Sequence, residues 1–122
     1  MTRRVKKPWG EEIIFAHTSA YAGKLLLVRK GEALSLQYHE RKDEAIYVHE
    51  GTIRLTVGGA EKLEERTLGP GDSIHLPPGT YHRFEAIEDA TLFEVSTPEL
   101  DDVVRLQDRY GRIPAKPAPD GA

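Results

Sequence analysis

The chain is written as a succession of short apolar-alternating runs, each closed by glycine, proline or a polar turn. Residues 9–15 and 21–29 are the first two runs, the second holding L-L-L-V. K-G-E-A (Lys30–Ala33) is a turn, and residues 34–39 then alternate L-S-L-Q-Y-H. That period of two sends Leu34, Leu36 and Tyr38 one way and Ser35, Gln37 and His39 the other. Residues 44–48 and 52–57 follow, the latter ending at G-G, a hairpin signal. Residues 61–68 read as a polar, exposed return strand. G-P-G-D (Gly69–Asp72) and P-P-G-T (Pro77–Thr80) punctuate the runs at 73–76, 82–86 and 90–96. Roughly eight short strands at this spacing argue an all-β fold, either a small barrel or a double-sheet jelly roll.

Length and charge narrow the possibilities. At 122 residues the chain is expected to form one domain, over 1–112. The tail I-P-A-K-P-A-P-D-G-A, 113–122, is too rich in proline for a regular element and is expected to be mobile. Thr97-Pro98-Glu99 has the form of a helix start, with Thr97 as N-cap, so residues 101–110 are expected to form a short helix or an extended arm, with helix preferred. With no cysteine, disulfides and thiolate chemistry are excluded, and any metal must be held by nitrogen and oxygen. A formal net charge of -3 gives no pull toward nucleic acid or anionic membrane. The opening M-T-R-R-V-K-K-P-W-G has no apolar run after it and reads as a solvated terminus, neither a secretory signal nor a nucleic-acid arm. A cytoplasmic protein is expected.

One group of residues carries chemistry. Gln37 and His39 lie two apart on one face of a strand, Glu44 opens the next strand, and His82 follows the P-P-G-T turn. In an antiparallel barrel these four can converge on the interior. Two nitrogen or oxygen donors at spacing two, a carboxylate and a distant histidine make an octahedral or tetrahedral metal site with open positions. The donor set suits Zn, Mn, Fe, Co or Ni.

G-E-A-L-S-L-Q-Y-H-E-R-K-D-E-A-I-Y-V-H-E-G resembles the first cupin motif, and G-P-G-D-S-I-H-L-P-P-G-T-Y-H-R-F the second. The resemblance implies a cupin double-stranded β-helix, a jelly-roll barrel with metal in its mouth. A closer likeness is to the cupin domain of type II mannose-6-phosphate isomerases. It is carried by K-P-W-G (Lys7–Gly10), L-S-L-Q-Y-H (Leu34–His39), P-P-G-T-Y-H-R (Pro77–Arg83) and D-D-V-V-R-L-Q-D-R-Y-G-R (Asp101–Arg112), the last being the most specific. That likeness implies a metal-dependent isomerase interconverting mannose 6-phosphate and fructose 6-phosphate through an enediol, and a homodimer, with the N-terminal segment around Trp9 as the expected contact. The sequence departs from the pattern at Arg41, where cupins usually place a second histidine; Gln37 then supplies the missing ligand. It also holds no Gly-rich nucleotide loop of the kind that precedes the cupin in those enzymes.

A phosphosugar isomerase needs an anion site, a proton carrier and enediolate stabilisation. Lys24, a lysine among leucines, matches a lysine of the isomerase pattern and is read with Glu44 as catalytic; the plainer reading is an exposed lysine on an edge strand. Arg105, Arg109 and Arg112 are candidates for the phosphate, because guanidinium binds it in a planar fork. Their plainer reading is ion pairing with the interleaved Asp101, Asp102 and Asp108. Arg41 and Arg83 flank ligand positions but alternate away from them. His17, His49 and His75 read as structural or surface residues, Trp9 and Phe15 as core or subunit contact, and Glu11 and Glu12 as solvated. Two other functions fit the same ligands: another metal-dependent cupin enzyme, such as a dioxygenase or lyase, and a non-catalytic sugar-binding cupin.

Overall fold

A computed structural model describes residues 2–112. Eleven strands run in chain order: β1 (Arg3–Lys7), β2 (Gly10–His17), β3 (Ala22–Val28), β4 (Leu36–Tyr38), β5 (Glu44–Glu50), β6 (Ile53–Gly58), β7 (Leu63–Leu68), β8 (Ser73–Leu76), β9 (Tyr81–Ala86), β10 (Ala90–Ser96) and β11 (Val104–Gln107). They form two antiparallel sheets, ordered β1-β2-β3-β10-β5-β8 and β11-β4-β9-β6-β7. This is the double-stranded β-helix implied by the cupin motifs, and no helix occurs among the described residues. The expected tail, 113–122, lies outside them.

The turn chemistry explains the strand boundaries. Gly51, Gly71 and Gly79 all have φ near +90°, conformations that close the turns before β6, β8 and β9 at no Cβ cost. Gly10, which ends K-P-W-G, is needed for space as well. A Cβ there would stand 1.8 Å from the Leu27 carbonyl oxygen. Only a residue without a side chain lets β2 approach β3 this closely.

Inside, the alternation of each strand makes a row that is apolar at one end and polar at the other. On β3 the row runs Val28, Leu26, Lys24; on β5 Val48, Ile46, Glu44; on β9 Ala86, Phe84, His82; on β10 Ala90, Leu92, Glu94, Ser96, and all of these side chains are buried. Register aligns the rows, because Val28 pairs Ala90, Leu26 pairs Leu92 and Lys24 pairs Glu94. The apolar ends join Trp9, Leu34, Ile53, Leu55 and Leu76 in one core. Burying each large side chain contributes about 1.5–3 kcal/mol. The polar ends share one cavity, described below.

Two expectations are corrected here. Residues 101–110 form no helix; β11 pairs antiparallel with β4, Val104 opposite Tyr38 and Arg105 opposite Gln37. The Thr97 hydroxyl does not cap a helix but accepts a hydrogen bond from the Asp43 N–H at 2.9 Å. The N-terminal segment is likewise more than a solvated terminus, since Arg3–Lys7 pairs along β2. Trp9 is only 2% exposed and packs in the core of its own chain, the first of the two places expected for it.

Candidate metal centre

His39 directly follows β4, Glu44 starts β5 and His82 lies at the start of β9, and all are buried. Their ligating atoms lie within 4.8 Å of one another. His39 Nε2 stands 3.3 Å from Glu44 Oε1, and His82 Nε2 stands 3.9 Å from Glu44 Oε2. Gln37 lines the same cavity, with His82 as its partner in register across β4 and β9.

Backbone carbonyls orient both imidazoles. His39 Nδ1–H donates to the Asp102 carbonyl, and His82 Nδ1–H donates to the Thr80 carbonyl at 3.0 Å. A carbonyl can only accept, so each Nδ1 carries a proton and each ring turns its Nε2 toward Glu44. A cation placed between the two Nε2 atoms and the carboxylate would be held by all three groups. Glu44 Oε2 is buried and has no hydrogen-bond partner. Burial also pulls the His82 pKa below its ordinary 6.5, which disfavours a proton there. The donor set thus fits a divalent metal with bonds of about 2.0–2.2 Å, and a histidine whose far nitrogen is held by a carbonyl is the usual metal-ligand pattern. Burial raises the Glu44 pKa, but the hydrogen bond with His39 and the charges of Lys42 and His82 outweigh it and bring it down to about 2.

Around this cluster lies a buried ion-pair chain. Lys42 Nζ is 2.8 Å from Glu94 Oε2 and 3.8 Å from Glu44 Oε1. Lys24 Nζ is 3.3 Å from Glu12 Oε1 and 4.0 Å from Glu94 Oε2. Burial, then the Glu44 charge, raises the Glu94 carboxyl above the ordinary carboxylate range. Burial lowers Lys42, yet the Glu94 and Glu44 charges leave it raised. These groups line one cavity of about 200 Å³ together with Ser35, Gln37 and the metal cluster.

Lys24 is therefore inside the barrel and not an exposed edge lysine, and Glu12, read as solvated from the sequence, is its partner. Neither Lys42 nor Glu94 stands out in the sequence. Glu94 has a signal in hindsight: it sits two residues after Leu92, at an inward position of an otherwise apolar alternation. Lys42 has none, because it lies in a polar turn. Arg41, in the place of a second motif histidine, is exposed; its N–H donates to Asp102 Oδ2 at 2.7 Å.

The three candidate arginines part company. Arg105 and Arg112 line the cavity. Arg112 is tied to Asp108, Nε to Oδ2 at 2.9 Å. Arg109 lies elsewhere, bonded to Glu85 Oε2 at 2.9 Å and the Gly31 carbonyl at 2.7 Å. With Tyr110, whose hydroxyl donates to Glu32 Oε1 at 2.6 Å, it clasps the C-terminal arm to the second sheet. Asp102 holds the other end of that arm by accepting from the N–H groups of Glu40, Arg41 and Lys42. His75, as expected, is a surface residue, 2.7 Å from Asp43.

Residues 24–96, the stretch from Lys24 to the last strand of the first sheet, match the cupin domain family. The chain belongs to the cupin domain family. This cupin is 40% identical over 118 residues to the mannose-1-phosphate guanylyltransferase ManC of Salmonella typhimurium, covering 93% of this chain and 24% of that protein. It is 39% identical over 116 residues to the mannose-1-phosphate guanylyltransferase of Escherichia coli K12, covering 91% of this chain and 23% of that protein. The cupin thus spans about a quarter of the length of the curated relatives it matches. Among solved structures it is similar to KdgF from Halomonas sp., with a TM-score of 0.71 and 28% identity over 83% of this chain and 90% of that one. It shares its fold with the oxalate decarboxylase of Bacillus subtilis, at a TM-score of 0.74 and 18% identity over 86% and 30% of the two chains.

Proposed function

We propose that this cupin is a metal-dependent sugar-phosphate isomerase that interconverts mannose 6-phosphate and fructose 6-phosphate. The observation that carries the reading is the cluster of His39, Glu44 and His82, whose ligating atoms lie within 4.8 Å of one another, with an unpartnered Glu44 oxygen, in a cavity rich in buried lysine and glutamate. Relatives named for mannose 1-phosphate support a sugar-phosphate substrate class.

In this reading His39, Glu44 and His82 hold the metal and Gln37 completes the set. A divalent ion held there would supply Lewis-acid stabilisation of negative charge on the sugar oxygens. The chain's own groups do the rest. Aldose–ketose conversion takes a proton from C2 of the aldose and returns it to C1, while the hydroxyl proton at O2 moves to O1. The carboxylates of the Glu12–Lys24–Glu94–Lys42 chain carry those protons, and a carboxyl raised by burial, as in Glu94, is suited to giving as well as taking one. Lys24 and Lys42 hold the carboxylates in place and donate to the sugar oxygens. The small cavity, of about 200 Å³, leaves little room for water beside a bound sugar. A cytoplasmic setting and a homodimer belong to the same proposal.

Metal content by elemental mass spectrometry, for wild type beside His82→Ala, tests the first half. Near-stoichiometric metal in the wild type and its loss in the variant are expected. The metal-loaded protein is then given mannose 6-phosphate in deuterated water. Fructose 6-phosphate formation, abolished by a chelator, supports the isomerase; a fully loaded protein that leaves mannose 6-phosphate unchanged overturns it. Another metal-dependent cupin enzyme is the second reading, favoured by the 90% coverage of KdgF, which contrasts with the partial coverage of the guanylyltransferases.

A further inference from the structure

The cavity is bordered by one edge strand of each sheet. β1 begins the first sheet and β11 begins the second. Alternate residues of β1, namely Arg3, Val5 and Lys7, line the cavity, as do Asp101, Val103 and Arg105 leading into and along β11. The period of two thus aims one face of each edge strand at the same space.

The charges there are unbalanced. Inside, Lys24 and Lys42 are matched by Glu12 and Glu94. Arg112 is matched by Asp108. Among the described residues, Arg3, Lys7 and Arg105 make no ion pair, and Asp101 is the only unmatched acid beside them. Arg105 is the most telling of the three. Its Nε is buried and has no hydrogen-bond partner, which is costly for a group that carries charge. A guanidinium with an idle buried N–H, in a cavity that two further unpaired cations also line, is suited to receive an oxyanion. Three cations beside Asp101 leave an excess of positive charge there, the complement of the negative charge a phosphate monoester carries near neutral pH.

We propose that Arg105 of β11, with Arg3 and Lys7 of β1, forms the subsite that takes the phosphate monoester group of the substrate, at the seam between the two sheets. The inference rests on the isomerase reading for the sugar but not for the anion. It separates the three arginines of the C-terminal arm: Arg105 binds, Arg112 is held beside it by Asp108, and Arg109 only clasps the arm. It gives the basic N-terminal strand a role in binding. The sugar ring then lies between this anion site and the metal cluster, with its reacting end toward Glu44.

The test is calorimetric titration of inorganic phosphate, mannose 6-phosphate and mannose into wild type, Arg105→Gln, Arg105→Lys and the double variant Arg3→Ser/Lys7→Ser, with metal content measured on the same samples. Loss of a charge-assisted bidentate contact is expected to weaken both phosphate probes about tenfold or more in Arg105→Gln. Arg105→Lys recovers part of that loss, and the double variant, at an exposed and a half-buried position of the edge strand, weakens binding by severalfold. Metal content and the response to mannose stay unchanged in all variants. Phosphate binding that is absent from the wild type, or equal in wild type and Arg105→Gln, overturns the subsite. The two proposals fail separately. Phosphate probes that depend on Arg105 without any turnover of mannose 6-phosphate keep the subsite and remove the isomerase. Turnover with a KM indifferent to Arg105, Arg3 and Lys7 keeps the isomerase and removes the subsite.

Discussion

At the scale of single residues, the buried charges make the sharpest predictions. Lys42 neutralises Glu94 at 2.8 Å in the interior. Lys42→Met leaves that carboxylate with only Lys24, 4.0 Å away, and is expected to lower unfolding stability by about 3 kcal/mol, measured by urea denaturation. Lys42→Met combined with Glu94→Gln recovers much of the loss, which a purely steric role for Lys42 would not allow. Acid sensitivity follows from the same groups. Burial holds His82 neutral below its ordinary 6.5, so as pH falls past 6.5 the unfolded chain takes up a proton that the native one refuses. Glu44, at about 2 natively against 4.5 when free, adds a second loss as pH falls through that interval. The thermal midpoint of chelator-treated protein is therefore expected to fall from pH 6.5 downward, and the upper part of that slope to flatten in His82→Asn. His39, Glu44 and His82 were legible in the sequence because ligand chemistry admits few residue types and the two motifs fix their spacing. Lys42 and Glu94 were not, because a buried ion pair is a property of two positions far apart in the chain.

Among the elements, β11 was the one the sequence concealed. T-P-E opens it as a helix would open, and the apolar positions Val103, Val104 and Leu106 fit neither period. Tertiary pairing with β4 decided the outcome, and a sequence pattern carries no record of a partner strand 66 residues away from Val104, at Tyr38. β1 was hidden for a different reason: a strand at a sheet edge needs only one apolar residue, here Val5, so it has no alternation to read. By contrast β3, β5, β9 and β10 were plain, since their inward rows are apolar for most of their length. Asp102 anchors β11 by accepting three backbone N–H groups of residues 40–42. Asp102→Ala should cost about 1–3 kcal/mol and, in hydrogen exchange, unprotect those amides first. The Asp102 carboxylate is held below its ordinary range because these three bonds outweigh burial, so its contribution is present above about pH 4 and disappears below it. Gly10→Ala tests the β2–β3 approach. With a Cβ 1.8 Å from the Leu27 oxygen the strands must separate, and the variant should be among the most destabilised in the chain, above about 3 kcal/mol.

For the molecule as a whole, the division of the barrel into an apolar end and a polar end explains how one small core can tolerate so much buried charge. The apolar rows hold the sheets together, and the polar rows are carried on the same strands, so the site takes its rigidity from packing that it does not itself provide. Metal should report this coupling. Saturating the wild type at about a hundredfold above its dissociation constant is expected to add about 2.7 kcal/mol to unfolding stability, visible as a rise of several degrees in the thermal midpoint, and a chelator should reverse it. His82→Ala should show no such response. The architecture was legible from turn chemistry and alternation together with the two motifs. The outer face of the first sheet was not: Phe15, Tyr47 and Val95 remain 45–58% exposed there, and Phe15 lies across Gly23, whose missing side chain makes room for the ring.

The cavity gathers side chains from Arg3 to Arg112, almost the full span of the described chain. Its lining therefore assembles only when strands from both ends of that span have paired, and occupancy of the pocket is expected to report that closure.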